Sequence, residues 1–145
     1  MKKQIFIALL IVAFAAAQVL AQHAYDIYYT VGVQHHGLLW LNEDGTGVMR
    51  VKFYDGKRGR NVTIEQGMET TAISGVPALE GYDVVFAGTR TAHPSYAPDI
   101  LFFKKDYYGN LMIYVTDAYG NLARVSLREV FGDEYRRLKS QFGWR

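Results

Sequence analysis

The stretch Val48-Met49-Arg50-Val51-Lys52-Phe53 decides how this chain is read. Met49, Val51 and Phe53 alternate with Arg50 and Lys52, and a period of two places the apolar set on one face of a strand and the charged pair on the other. One face is core and the other meets water. Asn42-Glu43-Asp44-Gly45 before the stretch and Asp55-Gly56 after it are turn signals, so the strand sits between hairpin connections.

Working outward, short segments of the same kind recur between Gly, Asn and Asp clusters, at 25–33, 37–41, 47–54, 61–66, 69–74, 82–87, 99–105, 111–116 and 122–125. A sheet of so many antiparallel strands must close or fold over to hide its edges. The expected fold is therefore mainly β: a small antiparallel β-barrel of about eight strands, with a two-sheet sandwich as the alternative. Two turns repeat almost word for word, Asp106-Tyr107-Tyr108-Gly109-Asn110-Leu111 and Asp117-Ala118-Tyr119-Gly120-Asn121-Leu122, and glycine at the fourth position supplies a positive φ for each connection. Two units make a meander, not a repeat array.

The period changes at the end of the chain. Leu127, Val130, Phe131, Glu134, Tyr135, Leu138 and Phe142 step by three and four, Ser126 and Glu129 have capping-box spacing, and Gly143 is a stop signal. This predicts an amphipathic helix over 126–142, packed on the sheet or closing one of its ends. The same stripe would also serve a helix lying on a membrane, with Arg136, Arg137 and Lys139 on its polar side.

Residues 1–21 have the three regions of a secretory signal peptide: Lys2 and Lys3, an uncharged apolar run from Ile5 to Ala17, and Val19-Leu20-Ala21 as a small-x-small processing site. A membrane anchor wants about 20 apolar residues, and Gln18 interrupts this run too early. The expected mature chain is one β-rich domain, 22–145, secreted or periplasmic in a bacterial envelope, with no membrane contact after cleavage. Loss of Lys2 and Lys3 lowers sixteen basic residues to fourteen, equal to the fourteen acidic ones. The slight basicity of the whole chain thus belongs to the leader, and no electrostatic footprint for nucleic acid is left. Zero cysteines excludes disulfides, thiolate metal sites and thiol nucleophiles. A domain of this size buries enough apolar surface without cross-links.

Candidate sites come from the loops. In a meander, consecutive turns alternate between the two ends of a barrel. Counting nine strands puts His35, His36, Lys57, Arg58, Arg60, Tyr107 and Tyr108 at one end. At the other fall Glu43, Asp44, the long loop 88–98, Asp117 and Tyr119. Two prolines, Pro94 and Pro98, stiffen that loop, and polar groups on a stiff rim suit ligand contact. The expected ligand-binding residues are His93, Tyr96, Glu43, Asp44 and Tyr119.

Catalysis finds no signature. His93, Ser95 and Asp99 are close in sequence, but proximity does not set a nucleophile against a base, and no serine sits in a Gly-x-Ser-x-Gly elbow. Adjacent His35 and His36 point to opposite faces of a strand and cannot share a metal ion. Glu43, Asp44 and Asp117 lack the dense alternation of a calcium loop. Neither metal nor cofactor is expected. The unusual excess is aromatic, with eleven tyrosines. Exposed tyrosines grip sugars or peptides, although strands favour aromatics on their own account.

The stretch from Asn42 to Tyr54, with Ile64-Glu65-Gln66, Ala87-Gly88-Thr89 and Tyr96-Ala97-Pro98-Asp99, resembles a small uncharacterised β-rich module of exported bacterial proteins, sometimes found beside caspase-like peptidase domains. The resemblance implies location and fold. It implies no proteolysis, because this chain has no cysteine to act as nucleophile. The order of elements is more weakly similar to lipocalin-like barrels with a C-terminal helix. The functional expectation is a non-catalytic exported binding module whose partner is a protein, a glycan or a small apolar ligand. The alternative is a lipocalin-like carrier of a small apolar ligand, and a hydrolase-type enzyme stands third.

Overall fold

The computed structural model describes residues 22–91, 96–116 and 120–144. Eight strands follow one another around a closed antiparallel barrel: β1 (Gln22–Val31), β2 (Val33–Asn42), β3 (Thr46–Asp55), β4 (Arg60–Thr70), β5 (Val84–Thr91), β6 (Ile100–Lys105), β7 (Leu111–Thr116) and β8 (Leu122–Glu129). β8 closes the ring on β1, from Tyr25↔Glu129 to Tyr29↔Val125. The outcome is the expected barrel, not the sandwich.

Strand alternation fills the inside. Ile27, Leu39, Met49, Val51, Ile64, Met68, Val84, Leu101, Phe103 and Val115 are all almost fully buried in one interior cluster. Two smaller clusters lie outside. Ile73, Val85 and Phe102 are covered by the connection between β4 and β5. Leu38, Val130, Leu138 and Phe142 join β2 to a C-terminal helix, α1 (Gly132–Gln141), with Trp40, Tyr135 and Trp144 packed alongside. Among the described residues no helix is long and apolar enough to cross a membrane.

The helix is shorter than its sequence period indicates. Residues 126–129 belong to β8, so Ser126 and Glu129 are strand residues and not a capping box. Leu127 faces the barrel interior and Val130 the helix, so a spacing of three mixed two elements into one apparent stripe. Phe131 stands at the N-cap position without a side-chain cap, while Asp133 and Glu134 place negative charge in the first turn, where the helix dipole favours it. Glu134 also bonds Arg128, which bonds Asp26 at 3.2 Å and so ties helix to barrel.

Two further corrections concern the strands. The β1–β2 turn falls at Gly32, so His35 and His36 lie within β2 instead of between strands. The segments 61–66 and 69–74 are not separate. β4 runs unbroken through Gly67, its Ile64, Gln66 and Met68 all buried, because Gly67 is an ordinary ladder position paired with Val48 of β3 and Arg90 of β5; the register shift beside it is a bulge of β5, where Thr89 is the extra residue. One strand fewer reverses the end assignment of every later loop. The turns at Gly32 and 56–59 and the loop leading into Asp99 share one end. The β2–β3 turn, the 71–83 connection and the Asp106–Asn110 turn share the other. The repeated turns do lie at opposite ends, and Gly109 and Gly120 have φ of 83° and 84°.

Candidate functional site

At the end of the barrel where β1 meets β2 and β3 meets β4, alternation delivers three aromatic rings from neighbouring strands to the inside. Tyr29 of β1 is paired with His35 of β2 and stacks on it at 4.8 Å between centroids. His35 stacks in turn on Phe53 of β3 at 4.6 Å, and Phe53 meets Tyr96 at 5.3 Å. The arc closes on a carboxylate. Tyr29 and Tyr96 each donate a hydroxyl hydrogen bond of 2.9 Å to Asp99 Oδ2, and Gln66 Nε2 donates a third of 2.6 Å to the same oxygen. The Asp99 backbone N–H donates back to Gln66 Oε1 at 2.9 Å. Gln66, 1% exposed, thereby has a partner for each end of its amide.

Gly88 makes this closure possible. A Cβ there would lie 2.6 Å from Pro98 Cβ and 2.8 Å from Gln66 Oε1. Its backbone N–H donates to the Asp99 carbonyl at 2.8 Å, so the loop is held where only glycine leaves room.

Above this floor lies a cleft of about 690 Å³. Val31, Val33, His35, Phe53, Tyr96 and Asp99 line it, and Lys57 and Thr116 stand among its remaining walls. Next below it on their strands Ile27, Val51 and Ile64 are almost fully buried, so the cleft is a seat at the mouth.

His35 is the titratable group that faces the cleft from β2. Its Nδ1–H donates to the Val33 carbonyl at 2.8 Å. Burial holds its pKa below the ordinary value, against the Val33 bond and the Asp99 charge, which favour the proton. A neutral ring with Nδ1 engaged leaves Nε2 as an acceptor. Burial, reinforced by the Asp99 charge, raises both Tyr29 and Tyr96 far above the ordinary tyrosine range, so both hydroxyls stay donors.

The expected site residues scatter. Tyr96 is at the cleft. Glu43 and Asp44 occupy the β2–β3 turn at the opposite barrel end, so they are not neighbours of the loop that carries Tyr96. Asp44 works locally: its Oδ1 accepts from the Thr46 N–H at 3.0 Å and the Thr46 hydroxyl at 2.6 Å, and these bonds hold its pKa down. His93 and Tyr119 lie outside the described residues, as do Ser95 and Asp117. Asp99, weighed as a triad member, has a different set of partners: two tyrosines and a glutamine.

Tyr29, His35, Phe53 and Gln66 were missed as a site. Their parity was legible, since each is an inward position of its strand. Their common end was not, because the division of β4 placed His35 and loop 88–98 at opposite ends. His36 points outward, donates from Nε2 to Asp26 Oδ1 at 2.6 Å and stacks on Tyr28 at 3.9 Å. The adjacent histidines thus take opposite faces. Among the described residues no three His, Asp or Glu side chains gather in a way that could hold a metal ion.

Comparison with protein families, with curated proteins and with solved structures finds no match for this chain.

Proposed function

We propose that this chain is a non-catalytic binding module, exported to the bacterial envelope or beyond, whose ligand seat is the aromatic-walled cleft at the barrel mouth. The observation that carries the reading is a cleft of about 690 Å³ floored by a cluster of three hydrogen bonds on Asp99 Oδ2. Ligand sites are typically concave, about 300–1,000 Å³, mainly apolar and provided with a few fixed polar groups. Phe53, Tyr96, Val31 and Val33 supply the apolar walls, and His35 Nε2 supplies one acceptor. The ligand that fits is small, with a flat apolar body and one hydrogen-bond donor. Binding is favoured over turnover because the three donors on Asp99 Oδ2 hold that carboxylate in a structural role. The leader at 1–21 supports the exported location.

The buried layer of Ile27, Val51 and Ile64 next to the cleft favours a ligand seated at the mouth over one swallowed whole, which sets this reading apart from a carrier with a hollow interior. The test is native mass spectrometry of freshly purified chain together with titration by 1-anilinonaphthalene-8-sulfonate. Saturable uptake of one probe per chain is expected, weakened about tenfold in Val33→Arg, which crowds the mouth from a position 38% exposed. Absence of both a bound mass and probe uptake overturns the reading, as does uptake indifferent to the Val33 change.

A further inference from the structure

The barrel is not zipped evenly. β3 and β4 pair over ten positions, from Thr46↔Glu69 to Asp55↔Arg60. β7 and β8 pair over three, from Tyr114↔Arg124 to Thr116↔Leu122. Beyond that point the two strands part. Leu111, Met112 and Ile113 have ladder partners on β6 alone, and residues 125–129 have them on β1 alone. Two facing strand edges therefore stand open along one seam, and backbone N–H and C=O groups on an open edge form a template for another strand.

The space at the seam has two parts. A groove of about 810 Å³ extends from Leu111 and Ile113 of β7 past 123–127 of β8 to 28–30 of β1 and Gln34 of β2. Behind it a recess of about 210 Å³ reaches into the interior, walled by Tyr25, Leu41, Phe103 and Leu127, with Glu129 at its margin. Groove and recess share Leu111, Ile113 and Leu127, so they meet at the seam. Charge on the outer face beside it is basic: β6 and β8 carry Lys104, Lys105 and Arg124, while Arg128 is held by Asp26 and Glu134, and Glu129, the one acid of β6, β7 and β8, belongs to the recess. Arg124 lies over the Tyr114 ring on the outer face, 5.7 Å from its centroid.

We propose that the seam between β7 and β8 is a docking site for an extended peptide segment in which apolar residues alternate with acidic ones, added as a further strand. Each feature selects part of that occupant. The open edges take main-chain hydrogen bonds, the recess takes an apolar side chain from the inward-facing set, and the basic outer face takes the acids that alternate with it. The site is separate from the mouth cleft and does not depend on what that cleft binds.

The experiment is residue-resolved amide hydrogen exchange on the purified chain, alone and with the acetylated, amidated heptapeptide Glu-Val-Glu-Val-Glu-Val-Glu. In the free chain, seam-facing amides among 111–113 and 125–129 exchange about a hundredfold faster than those between β3 and β4. The peptide slows those same amides, and its counterpart with lysine for glutamate binds about tenfold more weakly. Because the chain has no cysteine, a Met112→Cys/Ser126→Cys pair zips the seam when oxidised; peptide binding is then lost, and reduction restores it. Seam amides already as protected as those of β3 and β4 overturn the proposal. So do unchanged exchange at about 1 mM peptide, protection confined to the mouth cleft, or an oxidised pair that still binds. Protection that rises with protein concentration alone, with a dimer in sedimentation, assigns the seam to a second copy and overturns the peptide assignment.

Discussion

Removal of the Tyr29 hydroxyl tests the mouth cluster at its most buried point. Tyr29 is 3% exposed, and its hydroxyl donates to an Asp99 oxygen that also takes bonds from Gln66 and Tyr96. Tyr29→Phe keeps the ring and its stack on His35 and deletes one hydrogen bond to a charged group, a net loss of about 1.5–3 kcal/mol. Tyr96→Phe deletes a bond of the same 2.9 Å length from a half-buried residue beside the cleft, where water substitutes, so about 1 kcal/mol or less is expected. Asp99→Ala is worse than either. It strands the Tyr29 hydroxyl and the Gln66 amide N–H in the interior, at about 1–3 kcal/mol each, a large part of the stability of an ordinary domain. The assay is urea unfolding followed by the fluorescence of Trp40 and Trp144. With a slope of about 2 kcal/mol per molar, a 2 kcal/mol loss moves the midpoint by about 1 M. The expected order is Asp99→Ala, then Tyr29→Phe, then Tyr96→Phe. Equal losses for the two tyrosines, or a Tyr29→Phe midpoint within about 0.2 M of the parent, refute the reasoning that burial sets the worth of these bonds.

Acid stability tests His35. Burial lowers its pKa in the folded chain, so below about pH 6.5 the unfolded chain binds the extra proton and stability falls as pH drops toward the folded value. Asp44, Asp106 and Glu134, each held low by its hydrogen bonds, act only at more acid pH. His35→Gln flattens the limb that begins below about pH 6.5 in urea unfolding, and a profile that superposes on the parent contradicts the assignment. At the alkaline end the folded chain keeps the protons of Tyr25, Tyr29 and Tyr96 while the unfolded chain loses them near pH 10, so stability falls as pH rises. Absorbance at 295 nm reaches its full phenolate value only on unfolding; complete ionisation in the folded chain counts against the buried cluster. Gly37→Ala puts a Cβ 2.2 Å from the Arg50 carbonyl oxygen, a backbone atom that cannot swing aside, and costs about 3 kcal/mol or more by thermal melting. Leu138→Ala removes the most buried apolar side chain of α1 from its seat on Leu38, at about 2–5 kcal/mol, with the Trp fluorescence altered because Trp40 and Trp144 border the same patch.

Much of the site was legible one residue at a time. Parity alone puts Met49, Val51 and Phe53 on one face, separates Tyr28 from Tyr29 and His35 from His36, and places Phe102 and Phe103 on opposite sides of the barrel wall. Counting strands was harder. A lone glycine in a strand reads as either a break or an ordinary strand position, and the choice at Gly67 lies in its pairing with Val48 of β3 and Arg90 of β5, which the local sequence does not contain. That single residue moved loop 88–98 to the wrong end and parted Tyr96 from His35. The helix start failed for a related reason: Leu127 and Val130 fit a helical step, yet one faces the barrel interior and the other the helix.

What the sequence by itself determined is local: alternation, turns and the apolar stripe at the end of the chain. These follow from bond geometry and the sorting of side chains between water and core, which act within a few residues. Which distant residues meet was decided only by the closed tertiary structure. Tyr29, Gln66 and Asp99 converge because register, bulge and closure each remove one freedom, and no segment holds all three. The same holds for the β7–β8 seam. Each strand alone reads as an ordinary strand, and the opening exists only because β8 exchanges one neighbour for another partway along its length.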